Sequence, residues 1–79
     1  MEESTTVLDV KGLQCPMPLL KAKKALNEIA PGSFLQVIAT DPGSVKDFQV
    51  FSRQSGHELI EMHEDEGVFR YLLKKKFTS

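Results

Sequence analysis

Val7-Leu8-Asp9-Val10-Lys11-Gly12-Leu13-Gln14-Cys15-Pro16-Met17-Pro18-Leu19-Leu20 decides the fold, because the hydrophobic period changes in the middle of it. Residues Thr5 to Val10 alternate and are rich in β-branched types, the pattern of a strand. Further on, Leu19, Ala22, Leu26 and Ile29 recur at helical spacing and make one apolar stripe. The helix they predict runs from about Pro16 to Ile29, with Lys21, Lys24 and Glu28 off the stripe. Lys11 to Gln14 form the loop between the two elements, and Gly12 can take a backbone angle closed to other residues there. Pro16 suits the first helical position, since its φ matches the helix and no N–H is needed. Pro18 is still in the first turn, where amides have no intrahelical partner. Pro31-Gly32 stops the helix.

Working outward, Phe34 to Ala39 is a short, nearly continuous apolar run and reads as a buried strand. Asp41-Pro42-Gly43-Ser44 is a turn, and Pro42 or Ser44 begins a second helix with Val45, Phe48 and Ser52 facing inward. Gly56 fits its end. His57 to Glu64 and Val68 to Lys75 are two further strands, joined by the hairpin signal Asp65-Glu66-Gly67. The order is therefore β-α-β-α-β-β. A strand–helix–strand unit is a right-handed crossover joining parallel strands, and the last two strands should be antiparallel. The expected architecture is α/β: a two-layer sandwich with two helices packed on one face of a mixed four-stranded sheet. It is one domain over residues 1–79, with its core in about 7–75.

Composition narrows the function classes. The 79 residues are 41% hydrophobic and 27% charged, with a formal net charge of -1. A domain built to bind nucleic acid broadly is usually strongly basic, so direct nucleic-acid binding is not expected. No apolar run approaches the roughly 18 residues of a membrane span. The start Met1-Glu2-Glu3-Ser4 lacks the basic character of a signal peptide, so a cytoplasmic protein is expected; a monomer is expected as well. His57 and His63 have only one cysteine to join them, which does not suggest a metal site. Phe34, Phe48, Phe51 and Phe69 read as core residues.

Cys15 is the single cysteine, so no disulfide can form within the chain. Two readings of it stand side by side. A lone cysteine is commonly a small buried hydrophobe. This one, however, precedes a proline at an element boundary, outside the apolar stripe. There it would lie at the positive end of a helix dipole, which lowers the pKa of a thiol from its free value of about 8.5. Lys11 and Lys21 are near in sequence. Asp41 follows the second strand as Cys15 follows the first, so parallel strands would put both on one sheet edge. Ligand sites in open α/β sheets cluster beyond such strand ends. Asp41 also reads simply as a turn or capping residue.

Asp9-x-x-Gly12-Leu13-x-Cys15-Pro16-x-Pro18, followed by a helix rich in Leu, Ala and Lys, resembles the TusA/SirA-like family of small bacterial sulfur carriers. Ala39-Thr40-Asp41-Pro42-Gly43-Ser44, Asp47-Phe48 and Ser55-Gly56-His57 are similar to later segments of that family, so the resemblance covers about Val7 to Lys75. It implies the same sandwich. It also implies a persulfide carried covalently on Cys15, no separate cofactor, and Asp9, Gly12, Pro16, Pro18 and Asp41 as the supporting motif. Sulfur would come from a cysteine desulfurase or rhodanese-like donor. It would pass to an acceptor protein in tRNA thiolation, molybdenum-cofactor biosynthesis or sulfur metabolism. Such a protein is a sulfurtransferase-type carrier more than a turnover enzyme.

Two other functions remain open on the residues alone. An RNA-binding or regulatory module would use Lys21, Lys23, Lys24 and the basic end Lys74-Lys75-Lys76, and its binding would survive Cys15→Ala. That basic end also reads as a charge guard on an edge strand. A peroxide-sensing thiol would form sulfenic acid or an intermolecular disulfide.

Overall fold

Alternation places the first strand, β1 (Thr5–Asp9), and the periodic segment after the loop becomes helix α1 (Met17–Glu28). These belong to a computed structural model that describes residues 5–14 and 16–77. The apolar run forms strand β2 (Phe34–Ala39), followed by helix α2 (Ser44–Ser55) and strands β3 (Glu58–Asp65) and β4 (Val68–Lys74). The sheet order is β1-β2-β4-β3. β1 and β2 are parallel, with Asp9 opposite Ile38, while β4 is antiparallel to both β2 and β3. The expected mixed four-stranded sheet with two helices is thus present.

Alternation within β2 sets the two faces of the sheet. Leu35, Val37 and Ala39 are fully buried, whereas Phe34, Gln36 and Ile38 are half-buried. Tyr71 and Leu73 of β4 join the buried set, together with Val10 beyond β1. Ala22 and Leu26 from α1 and Phe48 from α2 close the core from the helical side. The stripe on α1 is centred differently from the sequence expectation: Pro18, Ala22 and Leu26 are buried, while Leu19 and Ile29 lie at its half-buried margins. Phe48 is core, Phe51 and Phe69 pack against the core, and Phe34 is half-buried. β3 and β4 join through Glu66 and Gly67, both at positive φ (52° and 82°), the geometry that matches the twist of a tight hairpin.

The basic end has a structural role that composition did not reveal. The Lys75 ammonium donates to the Ile29 carbonyl at 2.7 Å, and that of Lys76 donates to the Ser55 carbonyl at 2.7 Å. Each lysine thereby caps the negative C-terminal end of one helix. Lys74 lies over the rings of Phe34 and Phe77. The cations that an RNA-binding reading would use here are held against the protein's own carbonyls and rings.

His57 belongs to the same clasp, its Nδ1 accepting the Lys76 N–H at 3.1 Å. Burial first, then the Lys76 and Lys75 charges, hold its imidazole below the ordinary value of 6.5. The unfolded chain therefore protonates His57 before the folded one does. The contribution to stability is complete above the ordinary value and declines as pH falls from there through the lowered one. Between about pH 7.5 and 5.5, the thermal midpoint of His57→Asn should fall less than that of the native chain. Equal slopes for the two proteins would refute this assignment.

Candidate functional site at the carboxyl edge of β1 and β2

The loop leaving β1 is built by short-range hydrogen bonds. The Asp9 carboxylate accepts the Lys11 N–H at 3.0 Å and lies 3.5 Å from the Lys11 ammonium, both side chains being about half exposed. Leu13 N–H returns to the Val10 carbonyl at 3.2 Å, and Val10 N–H reaches the Ile38 carbonyl at 2.8 Å. Gly12 sits at φ +84°, a conformation that favours glycine. A Cβ there would meet nothing within 4 Å, so backbone angle and not crowding sets the preference. Its N–H donates to Thr40 Oγ1 at 2.9 Å. That bond joins the loop after β1 to the segment after β2, at the ends of the two parallel strands.

Cys15 itself lies outside the described residues. Its neighbours Gln14 and Pro16 are exposed, and the Gln14 carbonyl accepts the Met17 N–H at 2.8 Å. Pro16 is the N-cap of α1 and not its first helical residue, one position earlier in the helix frame than expected. The Leu20 N–H still reaches the Pro16 carbonyl at 3.0 Å, so Pro16 closes the first helical turn from outside. Pro18 occupies the second helical position and is buried, serving both the helix start and the core. α1 begins with no side-chain cap and no acidic residue in its first turn. The positive end of its dipole is therefore not offset by a carboxylate of its own first turn.

Asp41 fills the turn role. Its carbonyl accepts both the N–H of Ser44 (3.0 Å) and the Ser44 hydroxyl (2.7 Å). The Ser44 hydroxyl also shares a hydrogen bond with the Tyr71 phenol at 2.7 Å, in the core. Tyr71 stacks on Phe48 with centroids 4.5 Å apart. Burial pushes the Tyr71 phenol up; the Ser44 bond opposes that, and the Asp41 and Asp47 charges add to it. The phenol is thus a protonated structural partner and not a base at neutral pH. Sequence reasoning missed both Tyr71, which carried no signal beyond strand propensity, and Thr40, which sat unremarked inside the Ala39–Ser44 segment.

Among the described residues, no group of three or more His, Cys, Asp or Glu side chains could hold a metal ion. His63 is exposed, its Nε2 3.4 Å from Glu61. No described helix is long and apolar enough to cross a membrane.

Comparison with known proteins completes this picture. The family model described as sulfurtransferase TusA matches residues 6–75. A sulfur carrier protein TusA from Allochromatium vinosum is 57% identical over 68 residues, covering 86% of this chain and 90% of that protein. A putative sulfur carrier protein from Neisseria meningitidis is 47% identical over 73 residues, covering 92% of this chain and 99% of its own. The crystal structure of a SirA-like protein from Desulfitobacterium hafniense superposes with a TM-score of 0.79 at 27% identity, over 92% of this chain and 99% of that one. The chain belongs to the TusA sulfurtransferase family.

Proposed function

We propose that this chain is a sulfur carrier that holds sulfane sulfur as a persulfide on Cys15. One observation carries the reading: its relatives are named sulfur carriers, and it has a single thiol with which to be one. In the loading step the Cys15 thiolate attacks the terminal sulfur of a donor persulfide. A sulfur–sulfur bond forms on Cys15, the donor's sulfur–sulfur bond breaks, and the donor cysteine leaves as its thiolate. The terminal sulfur keeps its proton, and no external oxidant or reductant is needed. Delivery is the same exchange in reverse, with an acceptor thiolate attacking the terminal sulfur and Cys15 departing. The carboxylate-free first turn of α1 favours an anion at this end. That supports both the thiolate and the persulfide anion.

The donor is a cysteine desulfurase or a rhodanese-like protein, and the acceptor belongs to tRNA thiolation, molybdenum-cofactor biosynthesis or sulfur metabolism. Met17 and Leu20 are 42% and 48% exposed, one turn apart on α1 beside the Cys15 junction. They offer a partner an apolar contact there. Met17→Glu should slow transfer from the donor several-fold, about the cost of one lost apolar contact, without changing the final extent of loading. An unchanged rate would remove Met17 from the contact. The central test is intact-mass measurement after incubation with a cysteine desulfurase and cysteine: the native chain gains one sulfur and Cys15→Ser gains none.

A further inference from the structure

We propose that the outer edge of β1, with the groove that α1 forms beside it, is a strand-addition site for an extended segment of a partner protein in which acidic and apolar residues alternate. This surface involves neither the position nor the reactivity of Cys15, and it goes beyond the sulfur-carrier reading. The sheet order β1-β2-β4-β3 leaves two edges, β1 and β3. β3 carries exposed Glu58, Glu61, Glu64 and Asp65 and an irregular register between Leu59 and Glu61. Charges and bulges of this kind discourage further pairing at an edge. β1 reads Thr5-Thr6-Val7-Leu8-Asp9, with one charge at its last position, and pairs with β2 in unbroken register. Its β-branched side chains favour the extended chain, yet none of its residues is buried and Val7 is 58% exposed.

The backbone of β1 is open on the outer side. Val10 N–H is directed at the Ile38 carbonyl, and the backbone groups of successive strand residues point to opposite sides. The N–H and C=O of Thr5, Val7 and Asp9 therefore point away from β2, and among the described residues no strand meets them.

Side chains set the kind of strand that fits. Leu8 lies opposite buried Val37 and faces the helices, whereas Val7 lies opposite half-buried Gln36 and faces the open side of the sheet. On the helical side a groove of about 150 Å³ is lined by Leu8, Lys21, Lys24, Ala25 and Glu28. Lys21 and Lys24 are exposed, and among the described residues neither ammonium lies within ion-pair distance of a carboxylate. An added strand sends alternate side chains to the two faces. Those on the helical side meet the two ammoniums and should be acidic. Those on the other side meet Val7 and should be apolar. Glu28, one turn beyond Lys24, confines the acidic positions to the end of the groove beside the lysines. A second copy of the chain is a poor occupant. Its β1 offers Asp9 as its one acid, and that carboxylate is already held by Lys11. Five residues from each side also fall far short of the roughly 20–30 a side of a stable interface.

The test is an NMR titration of the isotopically labelled full chain with a synthetic octapeptide, blocked at both ends, in which glutamate and valine alternate. Shifts should concentrate in β1 and in α1 from Lys21 to Glu28, and the Val7 amide should exchange more slowly in the complex. In a strand all the glutamate amides point to one edge and all the valine amides to the other. Of two N-methylated peptides, one modified at the glutamates and one at the valines, only one should lose affinity, by about 10-fold or more for the backbone bonds removed. Lys21→Glu combined with Lys24→Glu should weaken the parent peptide about 5- to 30-fold, the reach of two exposed ion pairs. The N-methylated peptides use the native chain, so the test stands even where that variant fails to fold. No saturable shifts at millimolar peptide, shifts centred elsewhere, or equal affinities of the two N-methylated peptides overturn the proposal. Protection of the Val7 amide that rises with concentration of the free chain assigns the edge to a second copy and overturns it. So does a short single-stranded RNA that binds Lys21 and Lys24 more tightly than the peptide.

Discussion

Phe48→Ala should lower the unfolding free energy by about 3–5 kcal/mol, the range for deleting a buried aromatic ring. The reasons are specific to this site. Phe48 is fully buried, and it is the residue through which α2 reaches the middle of the core. Its ring stacks on Tyr71 at 4.5 Å and 22°. Removing it opens a cavity under a phenol that remains bonded to Ser44 and so cannot collapse into the space. A domain of this length is stable by only about 4–12 kcal/mol at the usual value per residue. The loss is therefore about a quarter or more of the whole. Phe77, 71% exposed, is the control: Phe77→Ala should change stability by less than about 1 kcal/mol. Urea unfolding of the two variants decides the matter. A Phe48→Ala loss below about 1 kcal/mol would mean that α2 is not anchored through this ring.

The sandwich was readable because each element has its own unambiguous local signal. Val10 and Leu8 alternate with polar or exposed neighbours, α1 shows a 3.6-residue period, and Pro31-Gly32 and Asp41–Ser44 interrupt the chain at the right places. Parallel pairing of β1 with β2 followed from the strand–helix–strand order and not from any single residue. The position of β4 between β2 and β3 had no such source. It depends on β4 burying Tyr71 and Leu73 on the face that Leu35 and Val37 also occupy, a match of surfaces far apart in sequence. The irregular register between Leu59 and Glu61 was equally silent, because an extra residue in a strand leaves the alternation looking merely imperfect.

At the candidate site, Asp9, Gly12 and Asp41 were legible as positions but not as bonds. Gly12 announces a backbone angle, yet nothing in the sequence says that its amide is taken by Thr40. Asp41 announces a turn, yet the hydroxyl that completes the turn belongs to Ser44 and is anchored by Tyr71, 30 residues away in sequence from Asp41. Pro16 is the N-cap and not the first helical residue because its backbone, at φ −96° and ψ 14°, is not helical, although its carbonyl already accepts the Leu20 amide. Lys75 and Lys76 were legible only as charge. Their capping bonds arise because β4 ends beside the C-termini of both helices, which is a property of the assembled topology.

Cys15→Ser should abolish sulfur loading completely while leaving the unfolding midpoint unchanged. The substitution replaces one sulfur by one oxygen, and the residues on either side, Gln14 and Pro16, are exposed. The chemistry is all or none. Thiol–persulfide exchange proceeds through the thiolate, of which a cysteine near its free pKa of about 8.5 supplies a small but sufficient fraction at neutral pH. A serine hydroxyl supplies essentially none, and an oxygen–sulfur adduct would not be a persulfide. No other residue can substitute: the remaining sulfur atoms are those of Met1, Met17 and Met62, thioethers with no proton to lose. The native chain blocked by iodoacetamide should behave like Cys15→Ser. Loaded native protein should keep its sulfur until an acceptor thiol is added, because no second cysteine exists to form an internal disulfide and expel it. Intact mass before and after dithiothreitol reads every one of these states. A dithiothreitol-labile gain of one sulfur in Cys15→Ser would place the cargo elsewhere and end the carrier mechanism. Spontaneous loss from the loaded native chain would contradict the requirement for a partner.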